Sequence, residues 1–369
     1  MRNNRLDDII KCNIDLSSPV SNDATFDSIC IIVPGPEAEG TIAITKAFAI
    51  SKADELLDYG FTTDDVAYIA ATVAFSQNPC PDSIYVSVRK PTSEEGIEPV
   101  EYEDIALALS RANDESGAYG YHITGFKDPA DVQGAISWIE ANEKMFAFEY
   151  TDIDACPVKN TNFFRSFGFY SGQADGYEDG EVPAENEYAA LAHMACCFGY
   201  QPGSETWAYK TLATIVPSWL STQQKKDLEA AYINTYRRYS GANVTFGGYV
   251  LAGEWIDVIR FRDWLKAEIQ TNTFNALKTN TKVPYTDGGI GLIESAMEEA
   301  MAEGTEVGGI APTEYDGNDN AIPGYTIIVP TASNLTEAER KSRKLSGCKW
   351  SARLAGAIHL VEINGNLTF

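Results

Sequence analysis

Segments with the two-residue period of a strand alternate with segments of helical period along the first 200 residues, and this alternation limits the possible folds most strongly. The predicted strands cover residues 26–33, 45–49, 83–89, 119–125, 145–151 and 167–171, and the predicted helices cover 52–58, 63–77, 103–114, 128–141 and 185–199. Strands that alternate with helices favour a sheet with helices on its faces. We therefore predict an outer mixed α/β domain over residues 25–205.

A different block follows the stretch "GYQPGSETWAYK", in which Gly, Pro and Ser interrupt the alternation. We place the main domain boundary near residues 200–206 and predict an inner domain of helices and a small sheet over 206–353. Its predicted elements are helices at 221–237, 257–278, 286–302 and 335–345 and strands at 243–251 and 325–330. The chain as a whole is predicted to be α+β.

Both ends of the sequence, residues 1–24 and 354–369, contain an isolated strand pattern. Its apolar positions are Ile10, Cys12, Ile14 and Leu16 at one end, and Ala357, His359, Val361, Ile363, Leu367 and Phe369 at the other. A lone strand lacks main-chain partners unless another chain supplies a sheet edge. We therefore expect each end to act as an arm that joins a sheet in a neighbouring subunit.

The charge balance excludes some classes of partner. The 369 residues include 28 Lys and Arg against 53 Asp and Glu, which gives a net charge of −25. Such a protein repels phosphate backbones and anionic lipid head groups, so we expect neither nucleic acid nor direct membrane binding. No apolar stretch reaches the roughly 18 residues of a membrane span, and no signal sequence follows the first residues. We expect the seven scattered cysteines to be buried thiols in a reducing compartment, the cytosol.

One region is basic against this acidic background. Residues 336–353 contain two acids and six bases, namely Arg340, Lys341, Arg343, Lys344, Lys349 and Arg353. A basic cluster on an acidic protein indicates an acidic partner surface. The alternative is an ordinary helix C-terminus, where Lys and Arg complement the helix dipole.

No arrangement of residues indicates catalysis or a cofactor. The sequence has three histidines, and His193 lies three residues before Cys196 in "HMACC", but no second pair occurs at zinc spacing. The segment "DGGIGLIE" lacks the third glycine of a dinucleotide site, and no phosphate loop or nucleophile elbow is present. We therefore expect a structural role without a metal or other cofactor.

Two motifs in the C-terminal block resemble the contractile tail sheath proteins of bacteriophages and of phage-tail-like bacteriocin particles. The residues that carry the resemblance are Gly253, Glu254, Ile256, Asp257, Arg260, Asp263, Trp264 and Leu265 at a strand-to-helix junction, followed by Lys282, Pro284, Tyr285, Thr286 and Asp287 in "KVPYTD". The ending "WSARLAGAIHLVEINGNLTF" and the earlier "DDVAYIAATVAFSQNPCPDSIYVSVR" are also similar to that family. Together these segments cover most of the chain in the family's order.

The resemblance implies a function and a set of partners. Sheath subunits stack as hexameric rings around a tail tube, exchange N- and C-terminal strands, and contract from an extended state to drive the tube through a cell envelope. The implied partners are the chain itself, the tube protein, and baseplate and tail terminator proteins. The basic residues Arg340, Lys341, Arg343, Lys344 and Lys349 are then expected to face the tube. The alternatives are another self-assembling phage structural protein, or an α/β enzyme without a recognisable motif.

The charged positions of the predicted helix 257–278 also have a local interpretation. Apolar residues recur near helical spacing, and charges of both signs alternate around them at Asp257, Arg260, Arg262, Asp263 and Lys266. This pattern is typical of an amphipathic helix with a solvated, ion-paired face. Contacts between neighbouring subunits are the alternative. At the next helix, either Thr286 or Asp287 is expected to be the N-cap.

Overall fold

The chain forms two compact units, Met1–Phe274 and Asn275–Phe369. The computed structural model describes residues 9–12, 26–36, 44–92, 100–151, 162–178 and 181–367, together with the single residues 6 and 153.

The first unit is built on an eight-stranded mixed sheet in the order β2-β3-β1-β4-β5-β6-β7-β8. Its strands are β1 (Ile29–Val33), β2 (Phe48–Ile50), β3 (Ile84–Val88), β4 (Gly120–Ile123), β5 (Met145–Tyr150), β6 (Ser166–Tyr170), β7 (Asn234–Tyr239) and β8 (Ala242–Phe246). The six central strands run parallel, while β2 and β8 at the edges are antiparallel to their neighbours. Ile29 lies opposite Ile84 on one side and Gly120 on the other, which fixes the register of β1.

Helices pack against this sheet, as a mainly parallel arrangement requires. They are α1 (Val66–Phe75), α2 (Ile105–Ser116), α3 (Pro129–Asn142), α4 (Ala189–Phe198), α5 (Thr222–Ala230) and α6 (Ile256–Thr279), with 3₁₀ turns at Ala53–Tyr59 and Ala184–Tyr188. The starts of α2 and α3 follow from their N-caps, because the Asp104 and Asp128 carboxylates accept backbone N–H bonds from Ala106 and Ala130. The helix α2 packs with α3, and α1 packs with α4.

The core lies between the central strands and these helices. All five residues of β1 are buried, and Cys30 and Ile32 belong to a cluster with the apolar residues of α2 and α3. Four of the described cysteines are buried, namely Cys12, Cys30, Cys196 and Cys197. Contrary to the expectation, Cys80 is exposed and Cys348 is only half-buried, while Cys156 lies outside the described residues. The predicted α/β class is confirmed.

The second unit contains two helices and two small sheets among the described residues. Its elements are α7 (Asp287–Glu306), α8 (Glu337–Ser342), β9 (Glu314–Tyr315), β10 (Ala321–Ile322), β11 (Tyr325–Ile328) and β12 (Lys349–Ala352), and a 3₁₀ turn occupies Ala332–Asn334. The strands pair antiparallel as β9 with β10 and β11 with β12. These elements agree with a helix-and-small-sheet domain.

The division between the units differs from the predicted boundary near residues 200–206. The strands β7 and β8 follow that boundary in the sequence but extend the same sheet, and the chain divides instead after Phe274. The predicted helix 221–237 is too long, because α5 ends at Ala230 and β7 begins at Asn234. The strand β12 was not predicted, since it lies within the basic stretch.

Candidate assembly surfaces

The first turns of α6 are buried within the first unit. The guanidinium of Arg260 has no exposed surface and lies 2.6 Å from the Glu205 carboxylate. It also donates to the backbone carbonyls of Phe26, Cys197 and Tyr200. Because a buried guanidinium without partners is strongly destabilising, these contacts fix α6 against segments that are distant in the sequence.

A second buried ion pair lies one turn further along α6. The Asp263 carboxylate accepts hydrogen bonds from Arg165 Nη1 and from the Tyr119 hydroxyl, both at 2.8 Å. Arg262 Nη2 lies 3.0 Å from the same carboxylate. Burial by itself would raise the pKa of Asp263, but the charges of Arg165 and Arg262 and the hydrogen bonds outweigh it, so the pKa lies below its ordinary value.

These contacts show that the amphipathic interpretation of α6 is wrong. Charged residues that we expected on a solvated face are buried, namely Arg260, Arg262, Asp263 and Lys266. Arg260 and Asp263 are also unavailable for contacts between subunits, since their partners are inside the chain. The sequence analysis missed Glu205, Arg165 and Tyr119. The single Arg165 inside the apolar stretch "NFFRSFGFY" was the available signal, because a charge in a buried strand needs a partner.

Three further signature residues surround this buried start of α6. Burial raises the pKa of Asp257 to about 6, and the negative charges of Glu205 and Glu254 act in the same direction. Asp257 Oδ1 accepts the Val258 N–H at 3.0 Å within the first turn of α6. Trp264 is buried and stacks on Phe261 at 5.7 Å. These contacts account for the signature residues as packing and helix-start residues.

The "KVPYTD" segment forms the start of α7 in the second unit. Thr286 is the N-cap, as one of the two predicted candidates, and its hydroxyl accepts the Gly289 N–H at 3.2 Å. Asp287 instead accepts the Ala332 N–H at 2.7 Å. Pro284 is half-buried beside this turn, and its carbonyl leaves no room for a side chain at Gly289. Lys282 is exposed ahead of it.

The basic residues of the second unit separate into anchored and exposed groups. Arg340 donates to the carbonyl oxygens of Tyr285 and Ala332, so it holds α8 to the start of α7. Lys341 pairs with Glu337 one turn away, at 2.8 Å on the surface. The side chains of Arg343, Lys344 and Lys349 are exposed. The helix-terminus interpretation applies to Arg340 and Lys341, which lie in the last turn of α8.

The small sheet β11–β12 has one packed face and one open face. Tyr325, Ile327, Trp350 and Ala352 are half-buried, whereas the alternate residues Thr326, Ile328, Lys349 and Ser351 are exposed. Within the described residues, each of these strands is paired as a strand with the other alone. The outer edges of both strands therefore retain backbone groups that a further strand could bind.

The C-terminal segment 357–367 has an extended apolar composition but forms no strand in its own chain. Five large apolar side chains on it are more than two-thirds exposed, namely Ile358, Leu360, Val361, Ile363 and Leu367. Ala357 is also exposed, and His359 is half-buried. Phe369 lies outside the described residues. Such a run of exposed apolar residues is typical of a surface that another molecule covers.

Residues 9–12 of the predicted N-terminal strand form no strand within their own chain. The N–H groups of Ile9 and Ile10 both donate to the Leu6 carbonyl, which forms a turn rather than a strand. Gln270 of α6 donates to the Ile10 carbonyl at 2.8 Å, and Cys12 is buried. Ile14 and Leu16 lie outside the described residues.

The histidines lie in packed surroundings. His193 is fully buried among aromatic rings, and its Nε2 donates to the Trp207 carbonyl at 2.8 Å. Burial lowers the pKa of His193 to about 4. His122 is buried between Thr124 and Glu149, and Glu149 also accepts the N–H of Ala190 at the start of α4. Among the described residues, no cluster of His, Cys, Asp and Glu could hold a metal ion.

One family model matches the C-terminal part of the chain. Residues 256–367 match the family model of the E217 tail sheath protein gp31-like C-terminal domain. No curated protein matches the sequence. The matched range contains α6, α7, the small sheets and the exposed C-terminal segment.

Solved structures extend the likeness to nearly the whole chain. A chain of the helical sheath of the anti-feeding prophage in its contracted state superposes with a TM-score of 0.67 at 12% identity, over 97% of this chain and 98% of that one. The fold is that of a contractile tail sheath protein. A chain in the structure of the anti-feeding prophage baseplate superposes with a TM-score of 0.65 at 13% identity, over 98% of both chains. A sheath tail protein from Desulfitobacterium hafniense gives 0.50 at 10% identity, over 86% and 93%.

The resemblance to contractile tail sheath proteins is thus confirmed by the family match and by the fold. Among the described residues, no helix of the sheath fold is both long and apolar enough to span a membrane.

Proposed function

We propose that the chain is the sheath subunit of a contractile phage tail or phage-tail-like particle. Copies polymerise as stacked hexameric rings around a tail tube and contract from an extended state, which drives the tube through the envelope of the target cell. Baseplate and tail terminator proteins bind the two ends of the sheath, and assembly takes place in the cytoplasm of the bacterial host. The role is structural, and no catalytic step or cofactor is involved.

The observation that carries this proposal is the exposed apolar segment 357–367 on a chain with open sheet edges. The segment buries its side chains and pairs its backbone when it adds to the outer edge of β11–β12 in a neighbouring copy. Each cross-strand pair contributes roughly 0.2–1 kcal/mol, so one added strand stabilises a contact by a few kcal/mol. The N-terminal arm, including Ile14 and Leu16, is proposed to join the same sheet.

Strand exchange also explains how the assembly moves without falling apart. Hydrogen bonds along an added strand keep neighbouring copies attached, while turns beside the strand absorb rotation of the bodies. Gly347 and Gly356 precede β12 and the C-terminal segment with positive φ values of 88° and 66°, which glycine adopts without strain. We propose that larger contacts between bodies, formed on contraction, supply the work.

Electron microscopy of the purified chain tests the proposal. We expect rings or striated tubules from the wild-type protein, and a soluble folded body without polymers after deletion of Ala357–Phe369. Tubules from the truncated chain would refute strand exchange through this segment. A wild-type chain that stays monomeric at all concentrations would refute the sheath function itself.

Two substitutions of Val361 distinguish main-chain strand pairing from apolar side-chain contact. Val361→Pro removes a backbone N–H from an exposed site, so we expect the body to fold normally and polymerisation to fail. Val361→Thr retains the N–H and a β-branched side chain, and we expect it to polymerise. Equal behaviour of the two variants would contradict main-chain pairing.

A further inference from the structure

The helix α7 presents an exposed acidic face in the second unit. We define this α7 face as Glu298, Glu299, Glu303 and Glu306, of which Glu303 is half-buried and the others are exposed. Glu299 and Glu303 are one turn apart, where like charges destabilise a helix. The ion pairs found within residues 275–367 involve other acids, namely Glu337 and Glu314, so the α7 face has no cation from its own described residues.

Among the exposed cations of the same unit, three that follow α8 in the sequence also lack an acidic partner within its described residues. We define the basic segment as Arg343, Lys344 and Lys349, which lie between the end of α8 and the start of β12. None of the three takes part in an ion pair within the described part of this unit. Complementary charges are therefore exposed on two different elements of one chain.

We propose that the basic segment of one copy docks on the α7 face of the next copy. The inference rests on the proposed function and names one of the contacts between neighbouring sheath subunits. With a net charge of −25, two copies repel each other at most orientations. A contact between the basic segment and the α7 face brings opposite charges together and fixes the register of the two copies.

The contact joins two different surfaces, so it is heterologous. Heterologous contacts generate rings or helical filaments, depending on whether the rotation closes. This differs from the sequence-based expectation that the basic residues face the tube, since the structure places a suitable acidic surface on the chain itself. The experiment distinguishes a neighbouring copy from the tail tube as the partner of the basic segment.

Charge reversal on each surface provides the test. We expect R343E/K344E and E299K/E303K each to lower the amount of tubular polymer at fixed concentration by about tenfold or more, because like charges then face each other. A 1:1 mixture of the two variants restores polymerisation, since every contact between alternating copies again pairs opposite charges. K225E/K226E on α5 is the matched control with the same change in net charge as R343E/K344E, and it polymerises like the wild type.

Each outcome either supports or overturns the proposed contact between the basic segment and the α7 face. Recovery in the mixture, with both variants folded by circular dichroism, supports it, and contacts within one chain cannot produce that recovery. No recovery from mixing, while the wild type polymerises, overturns the inference but leaves the sheath function standing. If R343E/K344E polymerises normally without a tube but no longer assembles around one, the basic segment faces the tube and the inference is overturned. A wild-type chain that never polymerises would refute both the proposed sheath function and the proposed contact.

Discussion

Arg165 and Asp263 form an ion pair in which neither side chain is exposed, although 98 residues separate them in the sequence. The pair connects the residue that directly precedes β6 of the central sheet to the second turn of α6. A charge in this position is stable only with its partner, so correct insertion of α6 and correct pairing of β6 depend on each other.

Removing one charge of this pair should strongly destabilise the first unit. We expect Asp263→Asn to lower the free energy of unfolding by about 3–5 kcal/mol, because the Arg165 charge stays buried without its counter-charge. Urea unfolding followed by tryptophan fluorescence measures the change. Asp175→Asn is the control, since Asp175 lies 3.6 Å from an exposed Arg238, and we expect a change within about 0.5 kcal/mol. Equal losses for the two variants would contradict the importance of the buried pair.

The contribution of Asp263 should also depend on pH. Its pKa in the folded state is below that of the unfolded chain, so its stabilisation is complete above about pH 4 and is lost as the pH falls through the folded value. The difference between wild type and Asp263→Asn should therefore shrink in strongly acidic buffer. If the difference in the free energy of unfolding between the two proteins stays constant down to pH 2, the stabilisation does not depend on ionised Asp263.

Asp257→Asn should raise the free energy of unfolding, whereas Asp263→Asn lowers it. Its pKa of about 6 is above the unfolded value, so at pH 7 the folded protein holds a buried charge that burial and the neighbouring acids disfavour. We expect Asp257→Asn to stabilise the protein at pH 7 by on the order of 2 kcal/mol, and the gain to disappear near pH 4. Thermal unfolding at both pH values measures it. Destabilisation at pH 7 would show that the carboxylate is needed in its charged form.

His193 should make the fold sensitive to mild acid. Its pKa of about 4 in the folded state is below the unfolded value, so stability decreases as the pH falls from about 6.5 toward 4 and then levels off. The total loss is on the order of 3 kcal/mol. His193→Gln should flatten this part of the profile. An unchanged profile in His193→Gln would assign the acid sensitivity to other groups.

Two adjacent glycines at the start of α7 provide a matched pair of substitutions. A Cβ at Gly289 would lie 2.0 Å from the Pro284 carbonyl oxygen, while a Cβ at Gly288 would have no neighbour within 4 Å. We expect Gly289→Ala to destabilise the second unit by about 1–3 kcal/mol. Gly288→Ala should stabilise it by about 0.5–1 kcal/mol, because alanine loses less backbone entropy in a helix. Similar unfolding midpoints for the two variants would contradict the close approach.

Periodicity predicted which segments form helices but could not predict which of their faces meet solvent. The helix predicted at 257–278 is α6, yet the charges predicted on its outer face are inside the protein. Their partners are distant, since Glu205 is 55 residues away from Arg260. A charge pattern along one helix contains no information on an opposite charge contributed by another segment, so only the structure shows that these residues are paired.

Strand prediction failed where local composition competed with alternation. The basic residues around Lys349 hide the strand pattern of β12. Residues 234–237 of β7 fall within the predicted helix 221–237, because "AAYINTYRRY" has no breaker between α5 and β7. At the C-terminal segment the alternation is present, but no strand among the described residues of the chain pairs with it. The alternation predicts that this segment can pair as a strand, but it does not identify the strand with which the segment pairs.

The position of the segment 357–367 along the chain affects the order of events during synthesis. All strands of the eight-stranded sheet are translated before this segment, and domains fold as units while the chain elongates at about 5–20 residues per second. The exposed apolar residues thus follow all eight strands in the order of synthesis, so these strands can pair with one another first. We therefore expect the segment not to enter the eight-stranded sheet of its own copy.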